Sequence, residues 1–257
     1  MPATTTPAIN FWPQTACAKA FWGQHELRPY RDLLTDTVDW VDPRSGEHWL
    51  DLGCGCGEIT RSVWEKSGGR VAELVALDCA AANAGQIERV RRKAEPPDTQ
   101  GRIRFVQGDF STGLATWPSA HFDGVTSGLA IQYAESYAPG KGWTTDAYDA
   151  LLSEVHRVLR PGGRFVFSVN VPDPAWGKVG LQALPYVIGS RRPLRLLKNI
   201  VRMWRYGKWL KREARRGRFH YLPIATVVDR LEAAGFGRVS YRLSYADQAY
   251  VVRCRKE

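Results

Sequence analysis

Between residues 48 and 169 the chain alternates short apolar runs with longer runs of helical period, and this alternation restricts the fold more than any other feature. The apolar runs are 48–52, 71–77, 103–107, 122–127 and 164–169. Helical stretches fall at 58–67, with Ile59, Val63 and Trp64 inward, at 80–94, and at 145–159, with Tyr148, Leu151, Leu152, Val155 and Leu159 on one face. Strands and helices in such alternation build βαβ units, hence a parallel sheet with helices on both faces. A further helix is expected at 223–234, stopped by Gly235, then two strands at 239–243 and 248–253. The short turn between them at Tyr245-Ala246-Asp247 allows only antiparallel pairing. The expected fold is therefore α/β and doubly wound: a mostly parallel seven-stranded sheet closed by a C-terminal antiparallel hairpin. Ligands of such sheets bind outside the carboxyl ends of the strands.

The flanking segments add a cap and an insert to one domain. Residues 15–26 and a second stretch after Arg28 read as helices, with Pro29 suited to a first helical position. Tyr30, Leu33, Leu34, Val38 and Val41 share one face of the second. Residues 15–44 are thus a helical cap, 15–257 a single domain, and 1–14, rich in Thr, Pro and Ala, a disordered tail. A chain of 257 residues buries roughly 70–75% of its unfolded surface and needs no staples. The five cysteines form no even framework, which points to a reducing compartment without disulfides. Cys54 and Cys56 lack a second ligand pair at zinc spacing, so no metal is expected. There is no basic-then-apolar leader and no run approaching ~20 apolar residues, so the expectation is a cytoplasmic protein with no transmembrane segment.

The first strand runs directly into Asp51-Leu52-Gly53-Cys54-Gly55-Cys56-Gly57 and then into a helix. Alternate glycines permit positive φ and bring backbone against a ligand, and the helix start offers free N–H groups. A dinucleotide fingerprint needs a glycine three residues after its second. Counting from either Gly53 or Gly55, that position holds Glu58 or Thr60. An acid two residues before the first glycine suits a ligand carrying an ammonium and a sulfonium, and it repels a pyrophosphate. Asp78 ends the second strand, where an acid normally accepts both ribose hydroxyls of an adenosine. Asp109 follows the third strand, placed to accept from an adenine amino group, with Phe110 offering its N–H or ring face.

Together with Phe122-Asp123-Gly124-Val125-Thr126-Ser127 and His156-Arg157-Val158-Leu159-Arg160-Pro161-Gly162-Gly163, these motifs come in the order and spacing of a known family. Over about residues 49–169 the chain resembles the class I S-adenosylmethionine-dependent methyltransferases, and more narrowly the small-molecule branch that includes quinone and lipid methylases. The resemblance implies a Rossmann-like fold, methyl transfer, and S-adenosylmethionine as cofactor. It implies cofactor contacts from Asp51, Gly53, Gly55, Asp78, Asp109, Phe110 and Ser127, with Cys54, Gly57 and Cys79 in the same site. Strand four ends in Ser127-Gly128-Leu129-Ala130, which is neither an Asn/Asp-Pro-Pro-Tyr nor a Pro-Cys motif, and this speaks against nucleobase and glutamine targets. Gln132, Tyr133 and Trp22 are the expected acceptor contacts. His25 and His220, flanking the site from cap and insert, are candidate bases along with Tyr133; a base is needed only for a poorly acidic acceptor. His156 and His121 read as structural.

The net charge of +10 is concentrated. Between residues 175 and 220 there are 13 Lys and Arg and one acid, Glu213, whereas the rest of the chain holds 23 bases and 25 acids. The insert, 171–222, carries Leu197, Ile200, Val201 and Trp204 on one helical face and Arg195, Lys198, Arg202, Arg205, Arg212 and Arg216 on the other. Three readings stay open: a lid over the acceptor, peripheral membrane contact through 191–218, and, weakest, a nucleic-acid site. The expected function is methyl transfer to a small, apolar or amphipathic molecule. The alternatives are an RNA or protein methyltransferase using the insert, or a non-catalytic cofactor-binding module.

Overall fold

A computed structural model describes residues 10–188 and 193–257, with the side chains of 183–200, 202 and 203 left out. Seven strands form one sheet in the order β3-β2-β1-β4-β7-β9-β8. They are β1 (His48–Leu52), β2 (Glu73–Asp78), β3 (Ile103–Gln107), β4 (Phe122–Gly128), β7 (Leu159–Asn170), β8 (Phe236–Ser244) and β9 (Ala249–Lys256). The first five run parallel, and β9 pairs antiparallel with both β7 and β8, as the short turn at 245–247 requires. The strand order reverses between β1 and β4, so the ligand crevice opens above their carboxyl ends.

Both faces of the sheet are covered. Leu50, Leu52, Val75 and Leu77 pack with Phe165 and Phe167 against α5 (Asp146–Val158) and α8 (Ile224–Ala233). Trp49, Leu74, Ala76 and Val166 pack on the other face against Val63 and Trp64 of α3 (Glu58–Lys66) and Ile87 and Val90 of α4 (Ala84–Lys93). Two-sided burial explains why these strands read as nearly continuous apolar runs.

Several elements differ from expectation. Residues 15–26 divide into α1 (Thr15–Phe21) and a single 3₁₀ turn at Gln24–Glu26, with Gly23 between them; α2 (Arg28–Val41) follows. Strand β7 begins at Leu159, earlier than expected, and Arg160-Pro161-Gly162-Gly163 form an irregularity within it: Gly162 has φ +76°, and the register against β4 jumps from Phe122–Leu159 to Gly124–Arg164. A small hairpin, β5 (Ser136–Ala138) with β6 (Gly142–Thr144), has no sequence signature because each strand has three residues. The insert comprises α6 (Trp176–Ile188) and α7 (Pro193–Arg215). The tail is not disordered throughout: Phe11 lies 5.0 Å from Trp209, and Trp12 lies 4.5 Å from Tyr133, centroid to centroid. Residues 1–9 of that tail lie outside the described residues, as do the side chains of Arg195, Leu197, Lys198, Ile200 and Arg202.

Candidate active site

The loop after β1 is fastened from below. The N–H groups of Gly53 and Cys54 donate to the Leu77 carbonyl at 2.9 and 3.0 Å. The Gly55 N–H donates to Asp78 Oδ2 at 2.9 Å, and Ala80 N–H donates to Asp78 Oδ1 at 2.8 Å. Gly55 has φ +52°, and a Cβ there would meet nothing within 4 Å, so the backbone presents a bare surface to the space above. Burial pushes the Asp78 carboxyl above its ordinary range, opposed by the hydrogen bonds from Ala80, Gly55 and Asn83.

Asp51 is the most constrained group. It is 1% exposed, at the end of the central strand. The Thr60 hydroxyl donates to its Oδ2 at 2.6 Å, and its Oδ1 is buried with no partner. Burial pushes its pKa up to about 7, against the lowering effect of Thr60. An unpaired carboxylate oxygen in such surroundings favours a cationic N–H donor, because leaving it unmet costs ~1–3 kcal/mol or more.

A cavity of about 440 Å³ sits over these strand ends. One end is acidic, lined by Asp51, Glu58, Asp78 and Asp109 beside Gly53, Cys54 and Gly55. No Lys, Arg or His lines it among the described residues. The cavity's aromatic lining includes Trp12, Tyr133 and Trp176, which pack in one cluster around Leu210, and Trp204. Trp22 and Tyr30 stand beside the carboxylates, Trp22 donating to Asn83 Oδ1 at 2.8 Å next to Asp78. Four carboxylates, of which only Glu58 has a basic side chain against it among the described residues, make a poor receptor for a pyrophosphate and a good one for a cation. Burial pushes Cys56 and Cys79 up to about 12, so both are neutral thiols at the cavity wall.

Residues 50–167 match the family described as "Methyltransferase domain". The chain is 29% identical over 211 residues to a ubiquinone/menaquinone biosynthesis C-methyltransferase of Stutzerimonas stutzeri, covering 80% of this chain and 71% of the relative. It is 27% identical over 227 residues to the protein of the same name from Cereibacter sphaeroides, covering 86% and 76%. Residues 50–167 are thus a methyltransferase domain similar to those of class I S-adenosylmethionine-dependent enzymes. The fold agrees: the N-methyltransferase NodS of Bradyrhizobium japonicum, solved with S-adenosylhomocysteine, superposes with a TM-score of 0.57 at 14% identity, covering 91% of each chain.

In this domain most of the residues expected at the cofactor do line the cavity: Asp51, Gly53, Cys54, Gly55, Asp78, Cys79, Asp109 and Phe110. Two do not. Gly57 faces away, where a Cβ would come within 2.7 Å of Ile87 and 2.9 Å of Val90; its φ of +85° starts α3 and lets α3 and α4 close. Ser127 is fully buried, its hydroxyl donating to the Leu52 carbonyl at 2.8 Å, so it ties β4 to β1.

Of the expected acceptor contacts, Trp22 and Tyr133 line the cavity and Gln132 does not. Gln132 is fully buried and accepts from the Asn170 N–H at 2.7 Å while donating to the Leu129 carbonyl at 3.2 Å. Its amide fixes the turn beneath the cavity. Neither histidine proposed as a base faces the cavity. His220 Nε2 lies 2.8 Å from the Ala134 carbonyl, its ring packs on Tyr148, and burial lowers its pKa, so it is a neutral structural donor. His25 Nδ1 lies 3.1 Å from Glu58 Oε1 and is not among the residues that line the cavity. Tyr133 is raised to about 12 by burial, too high to accept a proton near neutrality.

Three contributors escaped the sequence. Asn10 donates its amide to Asp109 Oδ2, Trp12 packs into the aromatic end, and Asn170 ends β7 at the cavity with its Oδ1 buried and unpartnered. Asn10 and Trp12 lie in a segment with no periodic signal. Asn170 was within reach, since it stands at the carboxyl end of a parallel strand.

Proposed function

We propose that the acidic end of the cavity holds S-adenosylmethionine and the aromatic end holds a small apolar or amphipathic acceptor bearing a hydroxyl group. The observation that carries this reading is one cavity lined both by four carboxylates at the strand ends and by the aromatic cluster of Trp12, Tyr133 and Trp176. Asp51 Oδ1 takes the ammonium of the amino-acid end, Asp78 the ribose hydroxyls, and Asp109 the adenine amino group, with Phe110 beside the ring. The bare backbone at Gly55 gives close approach, and Cys54 and Cys79 line the walls. Asn10 presents an amide N–H to Asp109 where the adenine amino group would donate, so that contact exchanges when the cofactor binds. When bound, the cofactor supplies a methyl group already activated by its positive sulfur.

The chain's own contribution is alignment and exclusion of water, which together can supply ~7–11 kcal/mol of a barrier. Trp12, Tyr133 and Trp176 hold the acceptor's apolar body. Asn170 Oδ1 accepts a hydrogen bond from its hydroxyl, satisfying an oxygen otherwise left bare. With no histidine or low-pKa tyrosine at the cavity among the described residues, the acceptor must be acidic enough to react without a strong base, as a phenol or enol is. The relatives named for ubiquinone and menaquinone biosynthesis support this class. An acceptor of this kind partitions into bilayers, so the enzyme meets it at or near a membrane surface. A nucleic-acid or protein acceptor is not favoured, since neither fits an enclosed aromatic cavity.

The test is incubation with labelled S-adenosylmethionine and a cell extract separated into lipid-soluble, RNA and protein fractions. Label in the lipid-soluble fraction, in a hydroxylated aromatic product, is expected. Label confined to RNA or protein would overturn the reading.

A further inference from the structure

The outer surface of α7 carries a stripe that the catalytic reading does not use. At 100° per residue, Val201, Trp204, Arg205, Lys208, Arg212, Arg215 and Arg216 fall within a sector of about 120°, and all seven are exposed. The opposite side, with Gly207, Leu210 and Glu213, is buried. This corrects the sequence-based division of the helix: Val201 and Trp204 are 49% and 48% exposed and share the face of the cations instead of packing inward. Lys208 Nζ sits 3.5 Å above the Trp204 ring. Five cations on this face meet two nearby acids: Asp173 pairs with Arg215 at 3.1 Å, and Glu213 with Arg216 at 3.2 Å and Arg212 at 3.4 Å. A surplus of positive charge remains. Leu181 of the neighbouring helix is 71% exposed.

The apolar end of this stripe coincides with the rim of the cavity. Val201 and Trp204 both line the 440 Å³ space, and Trp176, Gly177 and Trp204 also line an adjoining groove of about 400 Å³ that bears Lys208, Lys211, Arg212 and Arg215. We infer that this face is a docking surface for an anionic phospholipid bilayer, placed so that the mouth of the acceptor cavity opens at the lipid surface. Trp204, Val201 and Leu181 enter the interfacial layer, and the five cations face the headgroups. The inference rests on the apolar-acceptor reading for its purpose, but not for its test. Charge complementarity fixes the sign of the surface. The apolar residues at the cavity rim favour a bilayer over RNA, because single-stranded RNA would bring phosphates to a mouth lined with carboxylates further in.

The experiment is co-sedimentation of the full chain with phosphatidylcholine vesicles, with and without phosphatidylglycerol, at low and high salt. Binding only to the anionic vesicles, weakened as salt shortens the screening length, is expected. Arg205→Glu, Arg212→Glu and Arg216→Glu combined should weaken it on the order of 100-fold, while thermal stabilisation by S-adenosylmethionine persists. Equal binding to neutral and anionic vesicles, absence of vesicle binding, or binding of an RNA oligonucleotide instead would overturn the inference; the wild-type salt series decides even if the triple variant does not fold. Vesicle binding without label in the lipid-soluble fraction would sink the acceptor reading alone, and label without vesicle binding would sink the surface alone.

Discussion

The two ends of the cavity are built by different rules. The acidic end is made by strand termini and one loop: backbone N–H groups hold Asp78, Thr60 holds Asp51, and the sheet fixes their separation. The aromatic end is assembled from pieces far apart in sequence, with Trp12, Phe21, Tyr133, Trp209 and Phe219 meeting as a satellite cluster around Leu210 and Tyr221. One end is positioned by hydrogen bonds that any closely similar backbone would repeat. The other is positioned chiefly by side-chain packing, with single hydrogen bonds such as Tyr133–Tyr221 and Trp176 to the Gly207 carbonyl, and can be rebuilt without disturbing the sheet. On the proposed assignment, that contrast lets one scaffold keep a methyl donor and change the acceptor.

If the ends are separable, variants should divide cleanly. Asp78→Ala should weaken S-adenosylmethionine binding by about 10- to 150-fold, the value of a hydrogen bond to a charged acceptor, and Asp51→Asn by a similar factor, both read by isothermal titration. Asp51→Asn should leave the unliganded protein as stable or more so, because it removes a buried charge. If these variants instead raise only the acceptor KM, the assignment of the ends is reversed.

A smaller effect concerns pH. Burial holds the folded-state pKa of Asp51 at about 7, above the ordinary carboxylate range. The folded, unliganded protein therefore keeps a proton that the unfolded chain has lost, and the contribution of Asp51 to stability falls as pH rises from about 4 to about 7. Cofactor binding runs the other way, since the ammonium needs the ionised carboxylate. Affinity should rise by up to about tenfold between pH 6 and pH 8 in the wild type, and Asp51→Asn should flatten that rise.

Smaller still, Asn170→Leu should lower kcat/KM for a hydroxylated acceptor by about fivefold, the worth of one neutral hydrogen bond, while leaving cofactor affinity unchanged. A parallel loss of cofactor affinity would place Asn170 at the wrong end. The least effect is expected from His220→Gln. The pH dependence of kcat should keep its shape, because His220 is spent on the Ala134 carbonyl. A lost acidic limb in that profile would restore His220 as a base.

The acidic end was legible in the sequence because its determinants are local. The spacing of Asp51, Gly53, Gly55 and Asp78 marks the turn that brings them together at the cavity, and strand alternation marks the sheet. Ser127 and Gln132 misled for a common reason: polar residues at strand ends suggest ligands, but both are fully buried and serve buried backbone groups. The aromatic end was not legible. Trp12 belongs to a segment of tail-like composition, and no period connects it to Tyr133 or Trp209. On α7, Val201 and Trp204 read as an inward stripe because a helical pattern marks a face without saying which face has a partner. Here that face is open.

The central claim is that the carboxylates at the carboxyl ends of β1, β2 and β3 are the seat of the methyl donor. A crystal structure with S-adenosylhomocysteine measures this directly. The account predicts the ligand's ammonium against Asp51 Oδ1, its ribose on Asp78 and its adenine amino group on Asp109, with the Asn10 amide displaced. The ligand lying among Trp12, Trp176 and Trp204, with Asp51 Oδ1 still unpartnered, would contradict it.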